Sequence, residues 1–373
     1  MLFRNIIGQK SVKQQLLRSL NAGRLPHAQL LLGPPGSGKL ALALAYAQRA
    51  LCENPGPDDA CGECNACRKV AKLIHPDLHF SYPTVGSKNT SLDFIDTWRQ
   101  TVTHNPYQGI NQWLRAIGAE NKQGNITKDE CLSIIRKLSL KIFEGRYKIL
   151  LLWLPEYLGK EGNRLLKLIE EPPENTLFLL VAENQELILN TILSRCQLVK
   201  VNALTDEEIA AALVDRQGIT HDRAHHLARL AGGDYNEALH LVDHAENDYA
   251  QLFLDWLRKC WAGKGQELVK WVDGFAKIGR ENQKHFLQYA LHFLREYLIL
   301  KATGSERVRL LPDELTTAQR MTKVLDFEQV DTITKLFDDC SYYIERNANP
   351  KILFLDASIR MHKILKVGRV SST

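Results

Sequence analysis

The run Gly33-Pro34-Pro35-Gly36-Ser37-Gly38-Lys39 is a phosphate-binding loop, and it works only between the end of a buried strand and the start of a helix. Its flanks meet that demand. Ala28–Leu32 reads as a short buried strand, and Lys39–Leu51 is an alanine- and leucine-rich helix that opens at the loop. The glycines let successive backbone N–H groups curl round phosphates, and Lys39 is placed to pair with the outer phosphate oxygens. The next residue should be Ser or Thr, whose hydroxyl ligates Mg²⁺. Here it is Leu40, which cannot ligate a cation.

The acidic partner of such a loop is expected at the end of a second hydrophobic strand. The candidate is Lys148-Ile149-Leu150-Leu151-Leu152-Trp153-Leu154, which ends in Trp153 and Leu154 where acids are expected, with Glu156 beyond Pro155. Both magnesium functions are therefore missing together. On this reading the backbone amides and Lys39 can hold ATP or ADP without a proper Mg²⁺ site, and the chain is expected to lack ATPase activity of its own.

Further apolar runs at Leu78–Tyr82, Ile149–Leu154, Leu177–Ala182 and Leu198–Val201 alternate with helical stretches. That pattern predicts an α/β core, a mainly parallel sheet covered by helices on both faces. After residue 202 the character changes. Thr205-Asp206-Glu207-Glu208 is a capping box that starts a small helical unit containing Gly232-Gly233. Farther on, every strong periodicity is helical, and Asn349-Pro350 reads as the cap and first residue of a last helix. The expected division is a nucleotide-binding core over 1–202, a helical lid over 203–246 and an all-α domain over 247–373.

Cys52, Cys61, Cys64 and Cys67 carry the spacing C-x₈-C-x₂-C-x₂-C. Two adjacent C-x₂-C steps bring three sulfurs to one point, and Cys52, ending the preceding helix, supplies a fourth. Four thiolates in a tetrahedral set favour a closed, structural Zn²⁺, although such sets also hold iron–sulfur clusters. The insertion over about 52–67 is the zinc candidate. The remaining cysteines, Cys131, Cys196, Cys260 and Cys340, are scattered.

A net charge of +5 over 373 residues permits contact with nucleic acid without demanding it. No secretory signal pattern opens the sequence and no apolar run reaches membrane-spanning length, so a cytoplasmic protein with reduced thiols is expected.

Several stretches together resemble one family, the bacterial clamp-loader subunits of the AAA+ class. They are Phe3-Arg4-Asn5-Ile6-Ile7-Gly8-Gln9, Leu25-Pro26-His27-Ala28, the phosphate loop, the cysteine cluster followed by His75-Pro76-Asp77, the run Asn163–Pro173, and Thr191-Ile192-Leu193-Ser194-Arg195-Cys196. Within the family the chain looks most like the delta-prime subunits of DNA polymerase III. The motor subunits, gamma and tau, carry a hydroxyl after the loop lysine, an Asp-Glu pair, a sensor Thr and a lid arginine. This chain has Leu40, Trp153-Leu154, Ala182-Glu183 and Asn236 at the corresponding places.

The resemblance implies that the all-α domain is an oligomerisation collar. It also implies that Arg195 is an arginine finger reaching the ATP of a neighbouring subunit. A guanidinium is permanently charged and forks onto phosphate oxygens, so such a donation in trans is chemically sound. The implied partners are the motor subunits, the delta subunit, the sliding clamp and primed DNA. DNA-directed DNA polymerase activity, a nucleotidyl transfer, would belong to the holoenzyme. The alternatives are an active ATPase motor of the same complex using Glu156 as its acid, and a zinc-dependent nucleic-acid-binding module.

Overall fold

The computed structural model of the chain describes residues 1–23, 25–120, 122–243, 249–304, 308, 310, 312–322, 324–346 and 348–367. It divides into two compact units, Met1–Val242 and Asp243–Thr373. The expected boundary between residues 246 and 247 lies outside the described residues. Among the described residues, no helix is long and apolar enough to cross a membrane.

The first unit is built on five parallel strands, β1 (Ala28–Leu32), β2 (Leu78–Ser81), β3 (Lys148–Trp153), β4 (Thr176–Ala182) and β5 (Gln197–Lys200), in the order β2-β3-β4-β1-β5. Each side-by-side parallel pair needs a crossover, and helical segments supply it, which is why strands and helices alternate along this half. Every residue of β3 and β4 is buried. Strands covered on both faces have no polar side to show, hence the unbroken apolar runs seen in the sequence. The expected α/β architecture is the one observed.

The register fixes which chain ends meet. Leu32 pairs with Ala182, and Trp153 pairs with Val181. The C-terminal ends of β1, β3 and β4 therefore lie side by side, and the phosphate loop leaves from the first of them.

Trp153, where the sequence pattern asks for a metal-binding acid, has a different task. Its ring lies 5.2 Å from Trp98, which stacks on Tyr82 at 4.1 Å and meets Trp113 edge-on at 5.3 Å. These four rings are buried together. An indole at the strand end thus closes the core over the helices Ile95–His104 and Ile110–Ala116. The start of the same strand is pinned differently. The buried Lys148 ammonium donates to the carbonyls of Leu138 and Leu140, covering the C-terminal end of the helix Lys128–Ser139.

Beyond β5, Thr205 forms the predicted capping box: its hydroxyl accepts from the Glu208 N–H at 3.2 Å, and Glu208 accepts from the Thr205 N–H at 3.1 Å. The helix Asp206–Gln217 follows, then His221–Ala231 and Tyr235–Asp243. In the second unit the described residues form helices and no strand. Its core is aromatic, with Trp256 stacked on Trp271 at 5.4 Å and its indole N–H donating to Ser358 Oγ at 2.9 Å. Asn349 caps the last helix, Pro350–Val367, by accepting from the Lys351 N–H at 3.0 Å.

Replacing the fully buried Trp98 tests the aromatic closure. Trp98→Ala should cost about 3–5 kcal/mol, the range for deleting a buried aromatic side chain. Trp98→Phe should cost far less, because the Trp98 indole N–H has no hydrogen-bond partner to lose. The midpoints of urea unfolding give both values.

Candidate functional site

The phosphate loop is set by three neighbours. The Gly33 N–H donates to Ala182 O at 3.2 Å, tying the start of the loop to the end of β4. Gln9 Nε2 donates to Ser37 O at 3.1 Å and to Asn202 O at 2.7 Å, bridging the loop and the segment after β5. The Tyr235 N–H donates to Gly36 O at 3.3 Å from the first turn of the helix Tyr235–Asp243. Gly36 has φ +61°, and a Cβ there would stand 1.7 Å from Asp234 Oδ1. Only glycine fits.

The helix Lys39–Leu51 opens at Gly38, as the sequence predicts. Its first N–H groups have no intrahelical carbonyls to serve and form a natural anion site. Leu40 is buried, its side chain in the core. The hydroxyl of the motor pattern is replaced here by a packing residue.

Lys39 is 5% exposed and already occupied. Its ammonium donates to Pro34 O at 2.5 Å and to Ser37 Oγ at 3.4 Å, and lies 3.8 Å from Glu183 Oε1. Burial lowers its pKa, against the attraction of Glu183, Asp234 and Glu156. Burial likewise pushes Glu183, Asp234 and Glu156 above the usual carboxylate range, and Lys39 pulls each of them back. Two of these acids are fixed by backbone amides. Glu156 Oε1 accepts from the N–H groups of Glu183 and Asn184, at 2.5 and 2.8 Å. Asp234 Oδ1 accepts from Asn236 and Glu237, at 2.8 and 3.1 Å, as the cap of its helix. Asn236, at the lid position, takes a hydrogen bond from Asn105 Nδ2 at 2.7 Å. Of these residues the sequence pattern singled out Glu156, Glu183 and Asn236. Asp234 escaped it, although its cap position before a helix was a usable signal.

The four cysteines of the insertion do converge. Their sulfur atoms all lie within 4.8 Å of one another. Cys52–Cys61 is 3.5 Å, Cys52–Cys64 4.0 Å and Cys61–Cys67 3.9 Å. Tetrahedral zinc with thiolate bonds of about 2.3 Å needs sulfur atoms about 3.8 Å apart, so the set fits such an ion. Backbone N–H groups of Cys64 and Glu63 stabilise the Cys61 thiolate and bring its pKa down to about 6, while burial drives Cys67 upward. Asp59 anchors the insertion, accepting from the N–H groups of Phe3 and Arg4, both at 3.1 Å. The four cysteines could bind a metal such as zinc. His75 is buried nearby in sequence but is a turn residue, accepting from the Asp77 N–H at 3.2 Å.

Arg195 follows the short helix Asn190–Leu193. Its guanidinium donates to Thr191 O at 2.9 Å and to Glu170 Oε2 at 3.1 Å. Glu170 ends the helix Leu166–Glu170, just before Pro172-Pro173. Two motifs that are separate in sequence are thus one surface feature. Spacing gave no hint of that pairing.

A parallel sheet with a phosphate loop at the end of β1, followed by a capped helical unit that reaches back to the loop, defines a P-loop nucleotide-binding core of the AAA+ class. Residues 8–205, more than half of the chain, match the family described as DNA polymerase III, delta subunit, and the chain belongs to that family. It is similar to DNA polymerase III subunit gamma of Buchnera aphidicola from Acyrthosiphon pisum, 28% identical over 66% of this chain and 59% of that one. Subunit delta-prime of Bacillus subtilis is 26% identical over 64% and 60%, and subunit tau of the same organism is 26% identical over 96% and 61%. The chain spans about 60% of the length of these relatives.

One expectation is overturned. The sequence pattern made the chain no enzyme, ATPase-deficient on its own and active only as part of a DNA polymerase holoenzyme. Gamma and tau subunits, the motors of the resemblance, match this chain as well as delta-prime does. The pocket is not stripped of acids either, since Glu156, Glu183 and Asp234 surround Lys39. The match to gamma and tau overrides the argument from Leu40 and Trp153-Leu154, and the assignment is withdrawn.

The fit at Gly36 is open to a direct test. Gly36→Ala forces a positive φ on alanine and drives its Cβ into Asp234, and should destabilise the first unit by about 2 kcal/mol or more. Thermal unfolding beside Gly274→Ala, whose added Cβ meets nothing within 4 Å, separates the clash from a general effect of alanine.

Proposed function

We propose that this chain is a delta-prime-type subunit of the DNA polymerase III clamp loader, and that it donates Arg195 to the nucleotide of a neighbouring subunit. The observation that carries the reading is the placement of Arg195. It sits on a surface turn, its guanidinium oriented by Glu170 and Thr191 O, with no bond to its own phosphate loop. A preoriented guanidinium loses little freedom when it meets a phosphate, and an arginine finger in trans is worth roughly 10³–10⁵ in rate in other nucleotide hydrolases.

In this reading residues 1–202 are the AAA+ core, 203–246 the lid and 247–373 the collar through which the subunits join. Gamma or tau motors and delta are its partners, and the assembled ring opens the sliding clamp and places it on primed DNA during replication. The phosphate loop, Gly33 to Lys39, holds ATP or ADP through its backbone amides and Lys39. Cys52, Cys61, Cys64 and Cys67 hold a structural zinc, which closes the insertion over 52–67 and leaves no open coordination position for catalysis. The chain acts in the cytoplasm.

A ring assembled with Arg195→Ala should keep its mass while hydrolysis at the one neighbouring site falls by roughly 10³. Clamp-stimulated ATPase and native mass spectrometry on the same sample check this, and an unchanged rate would refute the finger. For the cysteine centre, metal analysis of protein purified without added metal should find one zinc per chain. Cys67→Ser should lose it and lower the melting temperature, and iron with a visible absorption band would instead mark a cluster.

A further inference from the structure

The phosphate loop of this chain carries its own anion. In a loop prepared for phosphate the lysine ammonium is the free cation that the ligand meets. Here it is neutralised in place: Glu183 Oε1 lies 3.8 Å from Lys39 Nζ, and Asp234 Oδ1 lies against Gly36 of the same loop. The two acids arrive from different elements, Glu183 from the end of β4 and Asp234 from the cap of the helix Tyr235–Asp243. Glu156 stands behind Glu183, accepting its backbone N–H. Glu183 differs from the other two in one respect. Asp234 and Glu156 each accept two backbone N–H groups, whereas the Glu183 carboxylate faces the Lys39 ammonium.

We propose that Glu183 is an internal competitor that a nucleotide phosphate must displace from Lys39, and that nucleotide binding is accompanied by proton uptake. The inference rests on the reading that the loop binds ATP or ADP. The direction of the linkage follows from the groups that face one another here, Lys39, Glu156, Glu183, Asp234 and, beside Asp234, Glu237. An incoming phosphate brings negative charge, which favours the protonated form of every one of them. The carboxyls start from a raised pKa and Lys39 from a lowered one, so both kinds of group take up protons on binding. Any equilibrium that takes up protons strengthens as pH falls. Affinity for ADP should therefore rise from about pH 8 to about pH 6, opposite to the trend set by the ligand's own phosphate, which loses charge over that range.

The test uses the full chain and ADP, with calorimetry in two buffers of different ionisation enthalpy. Wild-type protein should show net proton uptake. Glu183→Gln keeps the shape and removes the charge, and should bind ADP roughly tenfold more tightly, the factor that one unit of pKa represents. It should also show a flatter pH profile. Binding by both proteins with no proton uptake and no gain for Glu183→Gln would overturn the inference while leaving the nucleotide site intact. Failure of both to bind ADP at any pH would overturn the nucleotide reading itself, and the inference with it. Because Glu183 is partly exposed at a strand end, the amide variant should fold, and an unchanged melting temperature without ligand confirms that it has.

Discussion

Parallel pairing of β1, β3 and β4 is the constraint on which the rest of the first unit depends. Parallel strands start at the same side and finish at the same side, so any chemistry carried by residues just after them is collected along one edge. The register brings the exits of Leu32, Trp153 and Ala182 together. The phosphate loop, Glu156 and Glu183 are the first polar segments past those exits. No residue needs to be drawn to the site by its own affinities. The sheet delivers them, and hydrogen bonds such as those from the Glu183 and Asn184 amides to Glu156 only trim the arrangement.

Two opposing demands are visible at the end of β3. A phosphate-loop site asks for metal-binding acids there, at the cost of placing charge beside a core. This chain spends it on an indole, and Trp153 joins Trp98, Trp113 and Tyr82 in one buried cluster. Leu40 makes the same choice at the start of the helix. Acids are present in the neighbourhood all the same. They stand one step farther out, at Glu156, Glu183 and Asp234, where backbone amides and Lys39 balance them.

Local chemistry was legible from sequence, and distant pairing was not. The loop-opened helix Lys39–Leu51, the capping box at Thr205 and the Asn349-Pro350 start all rest on contacts within a few residues, and each occurs where the spacing predicts. The strands were readable because β3 and β4 are buried on both faces and so unbroken in hydrophobicity. The convergence of the four cysteines was readable because their loop is short. Lys39 with Glu183, Arg195 with Glu170, and Gly36 with Asp234 join segments that only the folded sheet brings together. Nothing in their spacing records the partner. Motif reasoning that compares one position at a time saw acids missing at Trp153-Leu154, met Glu156 and Glu183 singly, and had no means of seeing them gather with Asp234 around Lys39.

The helix Lys39–Leu51 has the phosphate loop at one end and Cys52 at the other. Thirteen residues at about 1.5 Å each make a rod of about 20 Å. Every residue of it except Arg49 is buried, so the surrounding core leaves it no room to bend. The cysteine centre is therefore not a remote ornament on the insertion: its first ligand begins where the buried helix that carries Lys39 ends.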